Sequence, residues 1–153
     1  MDLILWRHAQ AEDGTPDDAR ALTPRGEADA ARVGAWLRER LPAGAATTVL
    51  CSPARRARRT ADALGLPYGV SGALAPGADA DEAIAETGWP EGREGTLVVV
   101  GHNPWIGRAA ALLVAGRDGV WPIRKAGLWW LGWRARGGGQ VLVKAVVSPE
   151  LLR

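Results

Sequence analysis

The chain has 153 residues, of which 47% are hydrophobic and 24% charged, a balance typical of one globular domain with one hydrophobic core. The formal net charge is only +2, so a sequence pI of about 9.2 does not indicate a nucleic-acid-binding protein. The single cysteine, Cys51, excludes a disulfide framework and an all-cysteine metal site, and we interpret it as a small core residue. No apolar run approaches the ~20 residues of a membrane span, and the N-terminus lacks the basic region of a signal peptide, so we expect a cytoplasmic protein.

The chain begins with a short apolar run that ends in an arginine and a histidine. Leu3–Trp6 has the length and composition of a buried strand, and Arg7 and His8 follow it directly. If this is an inner strand of a parallel sheet, its carboxyl end lies where ligands of open α/β sheets bind. The second and last histidine, His102, follows a similar run, Leu97–Gly101. We therefore predict that the two histidines share one site.

The first strand is followed by a polar loop and a well-marked helix start. Residues 10–21 are rich in acidic residues, proline and glycine, and this segment is either a plain connection or part of a substrate mouth. Thr23 is typical of an N-cap and Pro24 of the first helical position. We expect this helix to end at Pro42 and Gly44.

The rest of the chain alternates strands and helices. Ser52-Pro53 and Asn103-Pro104 each resemble an N-cap followed by proline, and a hairpin turn is expected at 136–139. The other predicted elements are strands over 47–51, 68–74, 127–134 and 140–147, and helices over 54–64, 79–86 and 103–115. This order predicts an α/β fold in a single domain over residues 1–153: a three-layer α/β/α sandwich with a mostly parallel central sheet and an antiparallel pair at its end.

The residues expected at the carboxyl edge of this sheet form a site for an anion. Arg7, one arginine of the basic run Arg55–Arg59 and the starts of two helices would all attract phosphate oxygens. Spacing alone does not separate Arg55 from Arg56 in this role. Neighbouring arginines would repel a cation, so we expect no metal, and the absence of P-loop and dinucleotide motifs leads us to expect no cofactor.

Without a metal, phosphoryl transfer needs a nucleophile and groups that stabilise charge. An imidazole can act as a covalent nucleophile, and arginines can neutralise the equatorial phosphoryl oxygens. Because Arg7 directly precedes His8, we predict His8 as the nucleophile and His102 as a donor to a phosphoryl oxygen. The alternative is that both histidines only cap strand ends through hydrogen bonds. Their matched settings, with arginines alongside, favour the catalytic interpretation.

Four motifs in order resemble those of the histidine phosphatase (phosphoglycerate mutase-like) superfamily. They are Arg7-His8-Ala9, Leu22-Thr23-Pro24-Arg25-Gly26, Ser52-Pro53-Ala54-Arg55-Arg56-Ala57-Arg58-Arg59-Thr60-Ala61 and Gly101-His102-Asn103-Pro104. The chain is most similar to the small bacterial branch of SixA-type phosphohistidine phosphatases. Lys125-Ala126-Gly127 and Val147-Ser148-Pro149-Glu150-Leu151 also resemble that branch.

The resemblance implies a phosphoglycerate mutase-like fold and a role for each matching residue. His8 is similar to the phosphorylated histidine, Arg7 and Arg56 to the phosphate-binding arginines, and His102 to the second histidine of the pocket. The Ser-Pro-x-x-Arg spacing of the family motif selects Arg56. Ala9 stands where the superfamily has glycine, a change that is tolerated if the backbone there is not at positive φ.

Many superfamily members also carry an acidic proton donor after the second helix, and here that region is short. Asp79, Asp81 and Glu82 are the candidates. An imidazole leaving group needs less protonation than an alkoxide, and a short chain leaves little sequence for a lid. Both features favour phosphohistidine on a protein as the substrate.

We therefore expect a monomeric, metal-independent phosphatase that acts through a phosphohistidine enzyme intermediate. Its expected partner is a phosphorylated signalling protein, such as a histidine phosphotransfer domain. The alternatives are a phosphatase of a small phosphorylated metabolite and a phosphate-binding module without catalysis. A nucleic-acid binder that uses Arg55–Arg59 is disfavoured by the near-neutral net charge.

Overall fold

The computed structural model describes residues 1–43, 46–92 and 94–153. Gly44, one of the two residues predicted to end the first helix, lies outside them. The strands are β1 (Asp2–Arg7), β2 (Thr47–Cys51), β3 (Gly69–Val70), β4 (Thr96–Gly101), β5 (Leu128–Arg134) and β6 (Gln140–Val147). The helices are α1 (Pro24–Arg40), α2 (Arg55–Asp62), α3 (Ala80–Thr87) and α4 (Trp105–Ala115). Within the described ranges, no helix combines the length and apolar character needed to cross a bilayer.

The six strands form one sheet in the order β3-β2-β4-β1-β5-β6. Strands β1 to β4 pair in parallel, whereas β5 runs antiparallel to both of its neighbours, β1 and β6. Helices α1 and α2 cover one face of the sheet around Trp6 and Val33, and α3 and α4 cover the other around Leu5 and Ile106. This arrangement confirms the three-layer α/β/α sandwich with a mostly parallel sheet.

The central strands and the first helix form for the reasons that the sequence indicates. All six residues of β4 are buried, as expected for an apolar run covered by helices on both faces. The Thr23 Oγ1 atom accepts the Gly26 backbone N–H at 2.9 Å and so caps α1. A Cβ atom at Gly26 would lie 2.0 Å from the Gln10 carbonyl oxygen, so this glycine allows α1 to pack against the loop after β1.

Two helix starts differ from the prediction. The N-cap of α2 is Ala54 and that of α4 is Pro104, and neither cap uses a side chain. Ser52 Oγ instead accepts the Ala54 N–H at 3.2 Å and bonds His102, while Asn103 Nδ2 donates to the Ile123 carbonyl at 3.0 Å. Ser52 and Asn103 therefore do not cap their helices, because their side chains bond groups at the edge of the sheet.

The third strand is also shorter than predicted. The segment 68–74 forms the two-residue strand β3 at the edge of the sheet and then a 3₁₀ turn over Gly72–Leu74. Ser71 Oγ accepts the Ala73 N–H at 3.2 Å, which caps that turn and ends the strand.

We predict that Gly101→Ala lowers the free energy of unfolding by about 1–3 kcal/mol, a typical cost of overpacking a core. A Cβ atom at residue 101 would lie 2.1 Å from the ring of Trp105, which is buried and rigid. Urea denaturation measures the change. Gly72→Ala is the matched control, because nothing lies within 4 Å of its added Cβ. Equal stability of the two variants would contradict the prediction.

Candidate active site

The register of β1 and β4 brings the two histidines together. Arg7 pairs with Gly101, and the His8 backbone N–H donates to the Gly101 carbonyl at 3.0 Å. His8 and His102 thus each follow the last residue of neighbouring parallel strands. Their ring centroids are 5.0 Å apart, with the ring planes inclined by 51°. Both side chains are buried, with 8% of His8 and 2% of His102 exposed.

The hydrogen bond of His8 fixes which of its nitrogens is free. Nδ1 lies 2.7 Å from the Ala9 carbonyl oxygen, and because a carbonyl only accepts, Nδ1 carries the hydrogen. Nε2 then holds the lone pair, and it has no hydrogen-bond partner within the described residues. The pKa of His8 is lowered to about 4, chiefly by burial; the Ala9 bond opposes this shift, and the charges of Arg56, Arg7 and Arg20 add to it. His8 is therefore neutral at pH 7.

His102 is held by a serine hydroxyl and is also neutral. Its Nε2 lies 2.7 Å from Ser52 Oγ, whereas its Nδ1 is buried without a partner in the part of the chain that the structure describes. Burial lowers the pKa of His102 to about 3, and nearby His8, Arg56 and Arg7 contribute in the same direction. The negative charge of Asp17 partly opposes this shift.

Arg7 and Arg56 place two guanidinium groups beside the histidines. Arg7 Nη1 donates to the Ile123 carbonyl at 2.8 Å, and burial lowers the pKa of Arg7. Arg56 is 5% exposed, whereas Arg55 is exposed on the outer side of α2, so the structure selects Arg56 from the basic run. The Nε atoms of Arg7 and Arg56, like Nδ1 of His102, are buried without a partner among the described residues.

Unpaired buried polar groups are costly unless a ligand or water satisfies them. Here the three unpaired nitrogens belong to two arginines and a histidine that lie around a second, neutral histidine. Arginine N–H groups are well suited to bind the oxygens of a phosphoryl group. The arrangement is therefore that of an anion site with an imidazole lone pair beside it.

Backbone and hydroxyl contacts fix this cluster to the fold. The Ala9 N–H donates to Thr60 Oγ1 at 3.0 Å, and the Thr60 hydroxyl donates to the Arg56 carbonyl at 2.8 Å. The Ala126 N–H donates to the His8 carbonyl at 3.1 Å, so the segment that precedes β5 is also tied to the end of β1.

Ala126, at φ 61°, is the one non-glycine residue with positive φ in the described ranges. Ala9 therefore adopts a conformation that any residue allows.

Asp17 contacts Arg56 and was not among the predicted site residues. A 3₁₀ turn over Asp17–Ala19 brings this residue to Arg56, whose Nη1 donates to the Asp17 carbonyl at 2.8 Å and whose Nη2 lies 3.0 Å from Asp17 Oδ2. Arg20 Nη1 donates to Asp17 Oδ1 at 3.1 Å. Hydrogen bonds from Arg20 and Arg56 lower the pKa of the Asp17 carboxyl. The sequence signal for this contact is an acid three residues before an arginine, Asp17 and Arg20, in the loop that follows β1.

The three acids that we considered as proton donors lie elsewhere. Asp79 caps α3 by accepting the N–H groups of Asp81 and Glu82, at 2.9 and 3.1 Å, and α3 packs against α4. All three side chains are exposed, and no contact of theirs with the histidines or with Arg7 and Arg56 occurs in the described residues. Over the same ranges, no group of three or more His, Cys, Asp or Glu side chains is arranged to hold a metal ion.

Comparison with known proteins agrees with this geometry. Residues 3–87 match the family model described as histidine phosphatase superfamily (branch 1). The uncharacterised protein Rv1276c of Mycobacterium tuberculosis is 39% identical over 118 residues, which are 73% of each chain.

Solved structures extend the likeness to the whole fold. The protein histidine phosphatase SixA in complex with tungstate has a TM-score of 0.80 and 25% identity, with 100% of both chains covered. A Nakamurella multipartitia protein proposed to be the phosphohistidine phosphatase SixA has a TM-score of 0.74 and 31% identity over 96% of both chains. A phosphoserine phosphatase mutant of Entamoeba histolytica has the same fold at 16% identity, with a TM-score of 0.72 over 99% of both chains. The fold is thus phosphoglycerate mutase-like, and the chain belongs to the histidine phosphatase superfamily, branch 1.

Proposed function

We propose that this histidine phosphatase is metal-independent and removes the phosphoryl group from phosphohistidine on a signalling protein, such as a histidine phosphotransfer domain. In this proposal His8 is the nucleophile, and Arg7, Arg56 and His102 bind the phosphoryl oxygens. The observation that carries it is a neutral His8 whose Nδ1 is hydrogen-bonded and whose Nε2 has no partner among the described residues, beside two arginines and a second neutral imidazole.

In the first step, the Nε2 lone pair of His8 attacks phosphorus, and the bond between phosphorus and the substrate nitrogen breaks. The bond electrons leave with the substrate imidazole, which takes up a proton from water. The Nδ1–H of His8 stays on the ring, and its bond to the Ala9 carbonyl stabilises the positive charge that develops there. The arginines neutralise charge on the three equatorial oxygens.

In the second step, water attacks phosphorus and the bond between phosphorus and Nε2 breaks. The electron pair returns to Nε2, one proton of the water is released, and inorganic phosphate leaves. Splitting the transfer into two displacements is the advantage of covalent catalysis. The Ala9 bond keeps the ring in one tautomer, so each cycle ends with the same nitrogen free.

The protonation states in the cluster favour phosphohistidine over an alkyl phosphate ester as substrate. An alkoxide leaving group needs a general acid. Both histidines are neutral at pH 7, and Asp17 is held ionised because Arg20 and Arg56 lower its pKa. An imidazole is a better leaving group than an alkoxide, and its departure depends less on a general acid. SixA, which matches the chain over its full length at 25% identity, is a protein histidine phosphatase.

We predict that the purified protein releases phosphate from a histidine-phosphorylated phosphotransfer protein in the presence of a chelator, and that His8→Ala abolishes this release. Arg56→Ala should lower kcat/KM by about 100- to 1,000-fold, the typical cost of removing one donor to a transition-state oxyanion. Arg58→Ala is the matched control, because Arg58 lies on the same helix but is exposed. It should retain the wild-type rate.

Three outcomes would contradict the proposal in different ways. Release that stops with the chelator would point to a metal-dependent reaction. Turnover of small phosphate monoesters without turnover of the phosphoprotein would identify a metabolite phosphatase. Binding of inorganic phosphate without any turnover, and without a radiolabelled phosphoenzyme, would identify a module that only binds phosphate.

We also predict that neither histidine titrates near pH 6.5 in the folded protein. Because burial and the arginines lower the pKa of His8 to about 4 and that of His102 to about 3, both imidazoles should remain neutral down to pH 5. Proton NMR of the imidazole Cε1–H signals measures this, and the chain contains only these two histidines, so His8→Asn assigns both. In urea both signals should titrate near 6.5. A folded-state midpoint above pH 6 would contradict a neutral, desolvated nucleophile.

A further inference from the structure

A cavity lies beside the proposed phosphate site and shares Arg7 with it. It has a volume of about 420 Å³, and Arg7 lines it together with Gln10, two positions beyond His8. Arg7 also donates to the carbonyl of Ile123, another residue of the cavity wall. A substrate whose phosphoryl group contacts Arg7 therefore has an open space next to it on the side of the α1 start and the segment before β5.

Two sequence motifs that the proposed phosphoryl transfer does not use contribute residues to the lining of this cavity. Lys125, from the Lys-Ala-Gly motif, and Pro149 and Glu150, from the segment after β6, both line it. The position of Lys125 is well defined, because the next residue, Ala126, donates its N–H to the His8 carbonyl. The distance from the Lys125 backbone to His8 is thus set by a direct hydrogen bond.

The cavity is positively charged. Its ionisable residues are four cations (Arg7, Arg25, Arg124 and Lys125) and two carboxylates (Asp29 and Glu150). Both carboxylates are already paired: Glu150 lies 2.8 Å from Arg124, and Asp29 contacts Arg32 at 3.0 Å and Arg153 at 3.6 Å. Arg25 is 3.9 Å from Asp29, at the limit of an ion pair, and no ion pair of Lys125 occurs in the described residues. Lys125 and Arg25 are therefore available to an anion from outside.

We infer that this cavity binds a second anionic group of the substrate: a carboxylate side chain close in sequence to the phosphohistidine of the protein that is dephosphorylated. This inference rests on the proposed function for the identity of the partner. The cavity is polar and open, and its free charges are exposed, which suits a side chain on a protein surface. Arg7, shared by both sites, then spans the phosphoryl group and the neighbouring carboxylate.

The test compares two peptides that carry phosphohistidine with either two aspartates or two asparagines beside it. For the wild type we expect kcat/KM at low salt to be about fivefold higher with the aspartates, the upper range for exposed ion pairs, and the preference to fall as salt is added. In Arg25→Gln/Lys125→Gln the ratio between the two peptides should approach one. The control Arg134→Gln/Arg136→Gln removes the same charge at the end of β5, which lies beside the amino end of β1 and so away from the site. In this control the ratio should stay at the wild-type value.

The same pair of peptides carrying phosphoserine separates the two claims. If only the phosphoserine peptides are hydrolysed, the proposed function fails, and the acidic-to-neutral ratio on phosphoserine decides the inference. If the wild type shows no preference on the linkage that it hydrolyses, or if the Arg25/Lys125 variant keeps the preference, the inference is overturned. Loss of the preference in the control variant would also overturn it, because the effect would then be one of net charge. If neither linkage is hydrolysed, the two peptides are compared as competitors that displace inorganic phosphate from the protein. Equal displacement by the acidic and the neutral peptide would then also overturn the inference.

Discussion

The candidate site depends on the parallel pairing of β1 with β4, with Arg7 opposite Gly101. This register aligns the carboxyl ends of two buried central strands, so that the residue after each strand is a histidine at the same edge of the sheet. A shift of one residue would turn one imidazole to the other face. On the other side of β1 lies the antiparallel β5. The segment before β5 is joined to the end of β1 by the bond from the Ala126 N–H to the His8 carbonyl.

Burial and positive charge act together at this edge. Imidazoles that are removed from water and surrounded by arginines resist protonation, and so the lone pair on His8 Nε2 exists at neutral pH without a separate base to generate it. The cost is that Arg7 and Arg56 are themselves desolvated, with buried Nε atoms that have no partner in the described part of the chain. In the proposed reaction, a phosphoryl group that binds to these arginines relieves that cost, and the relief contributes to the binding energy of the substrate.

The sequence predicted those features that follow from local patterns. Apolar runs indicated β1 and β4, Thr23 indicated the start of α1, and strand ends indicated the pairing of His8 with His102. The choice of Arg56 came from the family motif, since only tertiary packing separates it from Arg55. Ser52 and Asn103 have the residue types and positions of helix caps, but they bond His102 and Ile123, which local sequence patterns cannot identify because these partners are distant in sequence. Asp17 was missed for the same reason: its contact with Arg56 depends on a turn within a loop that contains several acids.

The Thr60 hydroxyl, which joins the Ala9 N–H to the Arg56 carbonyl, has a consequence for how such proteins diversify. It connects the end of a central strand directly to a helix, so the spacing between His8 and the Arg56 backbone does not pass through any loop. Changes in the loop over residues 10–21 that keep the Asp17 contact with Arg56 can then alter the surroundings of the site while His8 and the Arg56 backbone stay in place. A fold built this way can change its substrates over evolutionary time without rebuilding its chemistry.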